Sequence, residues 1–167
     1  AYKDALNLKL YIMQQGLKTK EDSVKYVNTL RDLYAKDANN EQIFSNLVTL
    51  CGSLKMTSEQ DKLLNDKLAA DPTNALAWAL KGQIEMNANK PAEAVECYKK
   101  SIAKDGKNVI VLTYLGFCLN AQAAKDGVSK AEQQKLYKES EGYLEQARSL
   151  DPNREKANWS YPLYAVY

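Results

Sequence analysis

Apolar residues recur at intervals of three and four along most of this chain, and no stretch alternates convincingly with period two. That spacing gathers them on one face of a helix with 3.6 residues per turn, so the pattern predicts helices and no strands. The expected helices run over 2–15, 21–36, 41–54, 58–70, 75–87, 91–104, 109–125, 130–150 and from 155 onward. Hairpin turns fall near Gly16–Thr19, Lys55–Thr57, Asn87–Lys90 and Asp126–Ser129. Thr57 with Gln60, and Ser129 with Glu132, read as capping boxes, a cap acceptor followed three residues later by a side chain that reaches back. Pro91 suits the first turn of its helix, where its missing N–H costs nothing. The helix over 109–125 differs from the rest. Val109, Ile110, Val111, Leu112, Tyr114, Leu115, Phe117 and Leu119 make it apolar over much of its circumference, and such a helix is normally buried.

The junctions between helix pairs repeat. Asp37-Ala38-Asn39-Asn40, Asp71-Pro72-Thr73-Asn74, Asp105-Gly106-Lys107-Asn108 and Asp151-Pro152-Asn153-Arg154 each follow one amphipathic helix and precede another. The first three aspartates, Asp37, Asp71 and Asp105, stand 34 residues apart, and Asp151 follows after that step plus an insertion of 12. The insertion falls between Asn120 and Tyr137 and is expected to lengthen both helices of its hairpin around an Asp126-Gly127 turn. Asp and Asn can bond local backbone, Gly tolerates left-handed geometry, and Pro cannot continue a helix interior. A fixed period of this length signals stacked supersecondary units.

The segment from Ala75 to Asn108 resembles the tetratricopeptide repeat, with Trp78, the small Gly82, Ala94 twelve residues on, and Tyr98. Gly82 and Ala94 would let the two helices approach closely, while Trp78 and Tyr98 fill the space around their crossing. Gly82 recurs as Gly116, and Ala147 with Pro152 matches the end of the next repeat. The departures are Lys81 and Glu85 at places usually apolar in the family, and Ser101 at a usual Ala. Val48, Gln14 and Pro162 occupy the slot of Gly82 in the second, first and last repeats, and Pro162 would kink its helix. The phrasing is also similar to bacterial tetratricopeptide proteins, some of which are exported. The resemblance runs from about residue 7 to the end. It implies an all-α fold, a right-handed superhelix or α-solenoid of helix-turn-helix hairpins. The array would be single over 1–167, with repeats at about 7–40, 41–74, 75–108 and 109–154 and a truncated ninth helix over 155–167.

In a solenoid of hairpins the first helix of each pair lines the concave side, and residues spaced i, i+3, i+7 share one face. The resemblance implies which face turns inward. It selects Leu8, Tyr11, Gln15; then Gln42, Ser45, Thr49; then Leu76, Ala79, Gln83; then Ile110, Thr113, Phe117; and last Lys156, Trp159, Leu163. Some tetratricopeptide domains hold a C-terminal carboxylate with Lys, Arg and Asn at such positions. Here Lys156 is the one cation, so that clamp is not expected. A neutral extended segment or an apolar helix of a protein partner suits the lining better. Ile110 and Phe117 would be covered either by that partner or by the chain's own continuation. Two other uses stay open: a carbohydrate or small-ligand module built on Tyr11, Trp159 and nearby amides, and a structural segment whose groove is filled by its own chain or a second copy.

Composition narrows the chemistry. Lys+Arg 23 against Asp+Glu 21 leaves a net charge of +2 with no block of one sign, which gives nucleic acid or an anionic membrane nothing to grip. Hydrophobic residues at 45% and charged residues at 26% are ordinary for a folded chain. The most apolar stretch, Val109 to Leu119, is much shorter than the roughly 20 residues a bilayer core needs. Histidine is absent, which removes the commonest general base and metal ligand. No phosphate loop, dinucleotide fingerprint or nucleophile elbow occurs, so no catalytic residue, metal or cofactor is expected. Cys51, Cys97 and Cys118 lie in apolar helical patterns and read as small buried hydrophobes. Most of the eleven tyrosines and two tryptophans read as packing between helices. Asn158-Trp159-Ser160 matches a three-residue glycosylation pattern. A chain that begins at Ala1 reads as an excised piece of a longer protein, in which a removed export signal would leave no trace.

Overall fold

A computed structural model describes residues 2–166, with side chains from residue 8 on, so Tyr167 of the truncated repeat lies outside it. Among the described residues every regular element is an α-helix. The chain forms two compact units, 1–66 and 67–167. The first holds α1 (Tyr2–Gln15), α2 (Lys20–Lys36), α3 (Glu41–Ser53) and most of α4 (Thr57–Ala70). The second holds the end of α4, then α5 (Ala75–Asn87), α6 (Pro91–Lys104), α7 (Val109–Ala123), α8 (Lys130–Leu150) and α9 (Ser160–Tyr164).

The repeat period is visible in the caps. Asn40, Asn74 and Asn108 each precede a helix in extended geometry, and each side-chain oxygen accepts from the N–H three residues on, of Ile43, Ala77 and Val111. Each of those bonds satisfies an N–H that the helix itself leaves unpaired. The preceding aspartates shape the turns: Asp37 accepts from the Asn39 N–H and Asp71 from the Thr73 N–H. The inserted residues divide as expected around Gly127, which has φ 83°. Relative to the α5–α6 hairpin, α7 is two residues longer, α8 seven and the connecting turn three.

In the first unit Leu10, Tyr26, Val27, Leu30, Ile43, Leu47 and Cys51 form the core. The expected capping box at Thr57 and Gln60 does not form. Thr57 is already helical, and Gln60 is buried with its Nε2 donating to the Val48 carbonyl at 2.9 Å. A buried amide must find a partner, and a helix carbonyl at the α3–α4 crossing outcompetes the local cap. The capping box of this unit is Thr19 with Asp22, whose side chains and backbone N–H groups bond reciprocally. Arg31 of α2 grips the Glu59 carboxylate of α4 with two N–H groups, holding the Glu59 pKa below its ordinary value.

In the second unit the small residues sit where helices cross. A Cβ on Gly82 would come within 2.7 Å of the Tyr98 ring, and one on Gly116 within 2.5 Å of Leu144 Cγ. Ala94 is fully buried. Two hydroxyls reinforce the crossings: Ser101 Oγ donates to the Ala75 carbonyl at 2.8 Å, and Ser140 Oγ to the Gly116 carbonyl at 2.9 Å. Trp78 is half-buried, its Nε1 donating to the Pro72 carbonyl while Lys100 Nζ lies 4.1 Å from its ring centre. Lys99 of α6 pairs with Glu139 of α8 at 2.8 Å.

The last junction breaks the pattern, and the helix expected from 155 begins only at Ser160. Arg154, at φ 59°, stands where the other junctions place a capping Asn and offers no acceptor. The buried Asp151 carboxylate instead takes the N–H groups of Glu155, Lys156 and Ala157 at 2.9, 2.9 and 3.2 Å. Burial alone would raise the Asp151 pKa, but these three donors together hold it below the ordinary value. Pro162 therefore falls in the first turn of α9, where it removes no helix hydrogen bond, rather than kinking a longer helix.

Candidate partner-binding site

The apolar helix α7 buries ten of its fifteen residues, including Val111, Leu112, Leu115, Cys118 and Leu119. Two large side chains escape. Ile110 is 47% exposed and Phe117 42%, two turns apart on one face. They share a concavity of about 560 Å³ with Met86 of α5 and with Ala157 and Pro162 of the C-terminal segment. Tyr114 and the largely exposed Tyr161 add aromatic walls. The remaining lining is polar: Thr113, Lys156 and Asn158. Thr113 is buried and its hydroxyl donates to the Val109 carbonyl at 2.8 Å. Asn158 Oδ1 accepts from Ser160 Oγ at 2.8 Å.

The wall opposite α7 is anchored at both ends. Asn120 Nδ2 donates to the Pro162 carbonyl at 2.7 Å, and Trp159 Nε1 donates to the Asp151 carbonyl, also at 2.7 Å. Trp159 and Leu163, expected on the lining, are only 8% and 5% exposed and pack with Val109, Leu112, Leu144 and Ala147. They hold the wall in place instead of facing the groove. Their outer edges border a separate depression of about 380 Å³ with Arg148, Arg154 and Tyr164.

The other expected lining residues do not join this concavity. Ala79 is half-buried against the α6–α7 core, and Gln83 is exposed outside it. In the first unit Tyr11, 60% exposed, borders a depression of about 340 Å³ with Leu10, Gln14, Gln42 and Asn46. Gln15 and Thr49 are exposed and Ser45 half-buried, all outside that depression. Met86, Tyr114 and Tyr161 were not among the expected residues. Tyr114 was readable, since Ile110, Tyr114 and Phe117 follow i, i+4, i+7 on the same face.

The buried cysteines lie outside this concavity. Burial pushes the Cys51 thiol up to about 11 and the Cys118 thiol up to about 12, far from the thiolate a nucleophile needs. Among the described residues no three His, Cys, Asp or Glu side chains come together as metal ligands, and no helix is long and apolar enough to cross a membrane.

No protein-family model matches the chain, and no curated protein matches it. Solved structures do. In fold the chain is similar to MamA. A crystal structure of MamA aligns with a TM-score of 0.52 at 12% identity, covering 89% of this chain and 89% of that one. A second, of the MamA protein, gives 0.52 at 12% identity over 95% of this chain and 88% of that one. The likeness to MamA lies in fold, a tetratricopeptide-like helical arrangement.

Proposed function

We propose that this chain is a non-catalytic scaffold that holds an apolar segment of a partner protein in the concavity beside α7. The observation that supports this is the pair Ile110 and Phe117, about half exposed on a helix that is otherwise the most buried in the chain. Anchors in a well-shaped pocket carry most of the energy of an interface. The Tyr11 depression of the first unit, with Gln15, Ser45 and Thr49 near it in sequence, is a second contact surface in this reading, as are Ala79 and Gln83 in the second unit.

The rival uses fare less well. Trp159 is buried, so its face is not offered to a sugar ring. Residues 156–162 do wall the groove, but they leave Ile110 and Phe117 at 47% and 42% exposure, so the chain itself covers the face only in part.

Selection of random-peptide phage against the immobilised chain, with the Phe117→Ala variant as counter-target, tests the proposal. Burying one large side chain is worth roughly 1.5–3 kcal/mol. Peptides recovered on the parent should therefore bind Phe117→Ala about tenfold or more weakly, while its helical melt stays near the parent's. If every recovered peptide binds both proteins alike, the groove is not the binding site. If Phe117→Ala instead melts well below the parent and binding is unchanged, Phe117 serves the fold.

A further inference from the structure

We infer that the segment held beside α7 carries an aspartate or glutamate side chain among its apolar residues, received by Lys156. The inference rests on the groove being a binding site and adds the chemistry of its occupant. Four polar groups on the groove wall can donate to an incoming acid. Lys156 supplies an ammonium, Tyr114 and Tyr161 supply hydroxyls, and Asn158 supplies an amide whose oxygen already accepts from Ser160 Oγ. No carboxylate lies among the described lining residues, and Lys156 is the single charge there. Asp151 lies close enough to feel the Lys156 charge, but it is buried and its carboxylate accepts from three backbone N–H groups. A carboxylate on the bound segment would give the exposed ammonium a partner within the groove, with neighbouring donors, that a neutral peptide would not. This narrows the neutral partner expected from the sequence to one that is apolar with a single acidic group.

A strongly acidic, apolar-poor tail fits poorly, since Met86, Ile110 and Phe117 would then remain wet.

The test uses the phage-selected peptides, resynthesised with both ends capped so that only side chains carry charge. The expected result is that they combine large apolar residues with Asp or Glu. Fluorescence polarisation should then show binding about threefold to fivefold weaker when the acid is replaced by its amide. Lys156→Gln should weaken the acidic peptide by a similar factor and leave the amide version unaffected, and raising salt should narrow the difference. Peptides that depend on Phe117 yet lack acids and ignore Lys156→Gln would overturn the acidic partner while keeping the groove. Peptides that bind only with a free C-terminal carboxylate would overturn it in favour of a chain end. No Phe117-dependent peptide, together with self-association in sedimentation that Phe117→Ala abolishes, would name a second copy as occupant.

Discussion

Gly116→Ala adds a single methyl group, and the structure says where it goes. The new Cβ would stand 2.5, 2.7 and 2.9 Å from Cγ, Cδ2 and Cδ1 of Leu144. Leu144 is fully buried among Val109, Leu112, Ala147, Trp159 and Leu163, so it has nowhere to retreat. Replacing Gly by Ala inside a helix ordinarily gains about 1 kcal/mol. Overpacking a close-packed core ordinarily costs about 1–3 kcal/mol. Gly142 in α8 provides the control, because a Cβ there meets nothing within 4 Å and its variant keeps only the propensity gain. Gly116→Ala should therefore lie about 1–3 kcal/mol below Gly142→Ala. At about 4–8 °C per kcal/mol for a unit of this size, thermal melts by circular dichroism resolve that gap. The double variant Gly116→Ala with Leu144→Ala sharpens the test. Leu144→Ala alone costs about 2–5 kcal/mol by opening a cavity. The added methyl would occupy part of that cavity, so the double variant should lose less than the sum of the two single losses, by more than about 0.5 kcal/mol. Equal melting temperatures for Gly116→Ala and Gly142→Ala, or strictly additive losses, would refute the close crossing of α7 and α8.

Lys55 turns the α3–α4 connection at φ 58°, a left-handed conformation that costs a side-chain-bearing residue about 1 kcal/mol or more. Lys55→Gly should raise the melting temperature, and a lowered one would show that the side chain carries contacts worth more than the strain. Asp151 has a folded pKa below the ordinary 3.8, so its stabilising effect is complete above that value and is lost as pH falls through the lower folded one. Asp151→Asn should accordingly melt below the parent at neutral pH and converge with it in acid, and a gap that persists unchanged into acid would contradict the carboxylate's role.

Much of the fold was legible because several signals coincide within one period. The junction asparagines Asn40, Asn74 and Asn108 combine cap chemistry with regular spacing, and the helix bounds follow within about two residues up to Leu150. Gly82 and Gly116 were readable as close approaches because small residues recur in step with that spacing. The signals were weaker where a side chain had a choice of partners. Gln60 has the sequence signature of a local cap, and only the neighbouring α3 backbone decides that its amide goes to Val48. The groove was half legible. Ile110, Thr113 and Phe117 share a face by helical spacing and the family resemblance implied that this face turns inward, but Trp159 and Leu163 were placed on the lining by extending the period through a junction that ends in Arg rather than Asn.

That junction is also what builds the groove's second wall. A helix beginning at Glu155 would need a cap at residue 154, and Arg154 supplies none. Such a helix would also carry Pro162 deep in its interior, where the ring clashes with the carbonyl of Asn158 and leaves it without a donor. Two residues eight apart thus oppose the same helix, and both are accommodated by the late start at Ser160. The freed backbone does not go unpaired. Asp151 takes three of its N–H groups, Trp159 reaches back to the Asp151 carbonyl, and Asn120 captures the Pro162 carbonyl from α7. The result is an irregular strap pinned at its two ends, with Asn158 and Tyr161 held beside Ile110 and Phe117. Local chemistry and tertiary contacts agree on that strap, and such agreement across levels is how a sequence specifies one conformation rather than several. The departure from the repeat is therefore encoded as firmly as the repeat itself, and it supplies Lys156, the one charged group on the surface proposed to meet a partner.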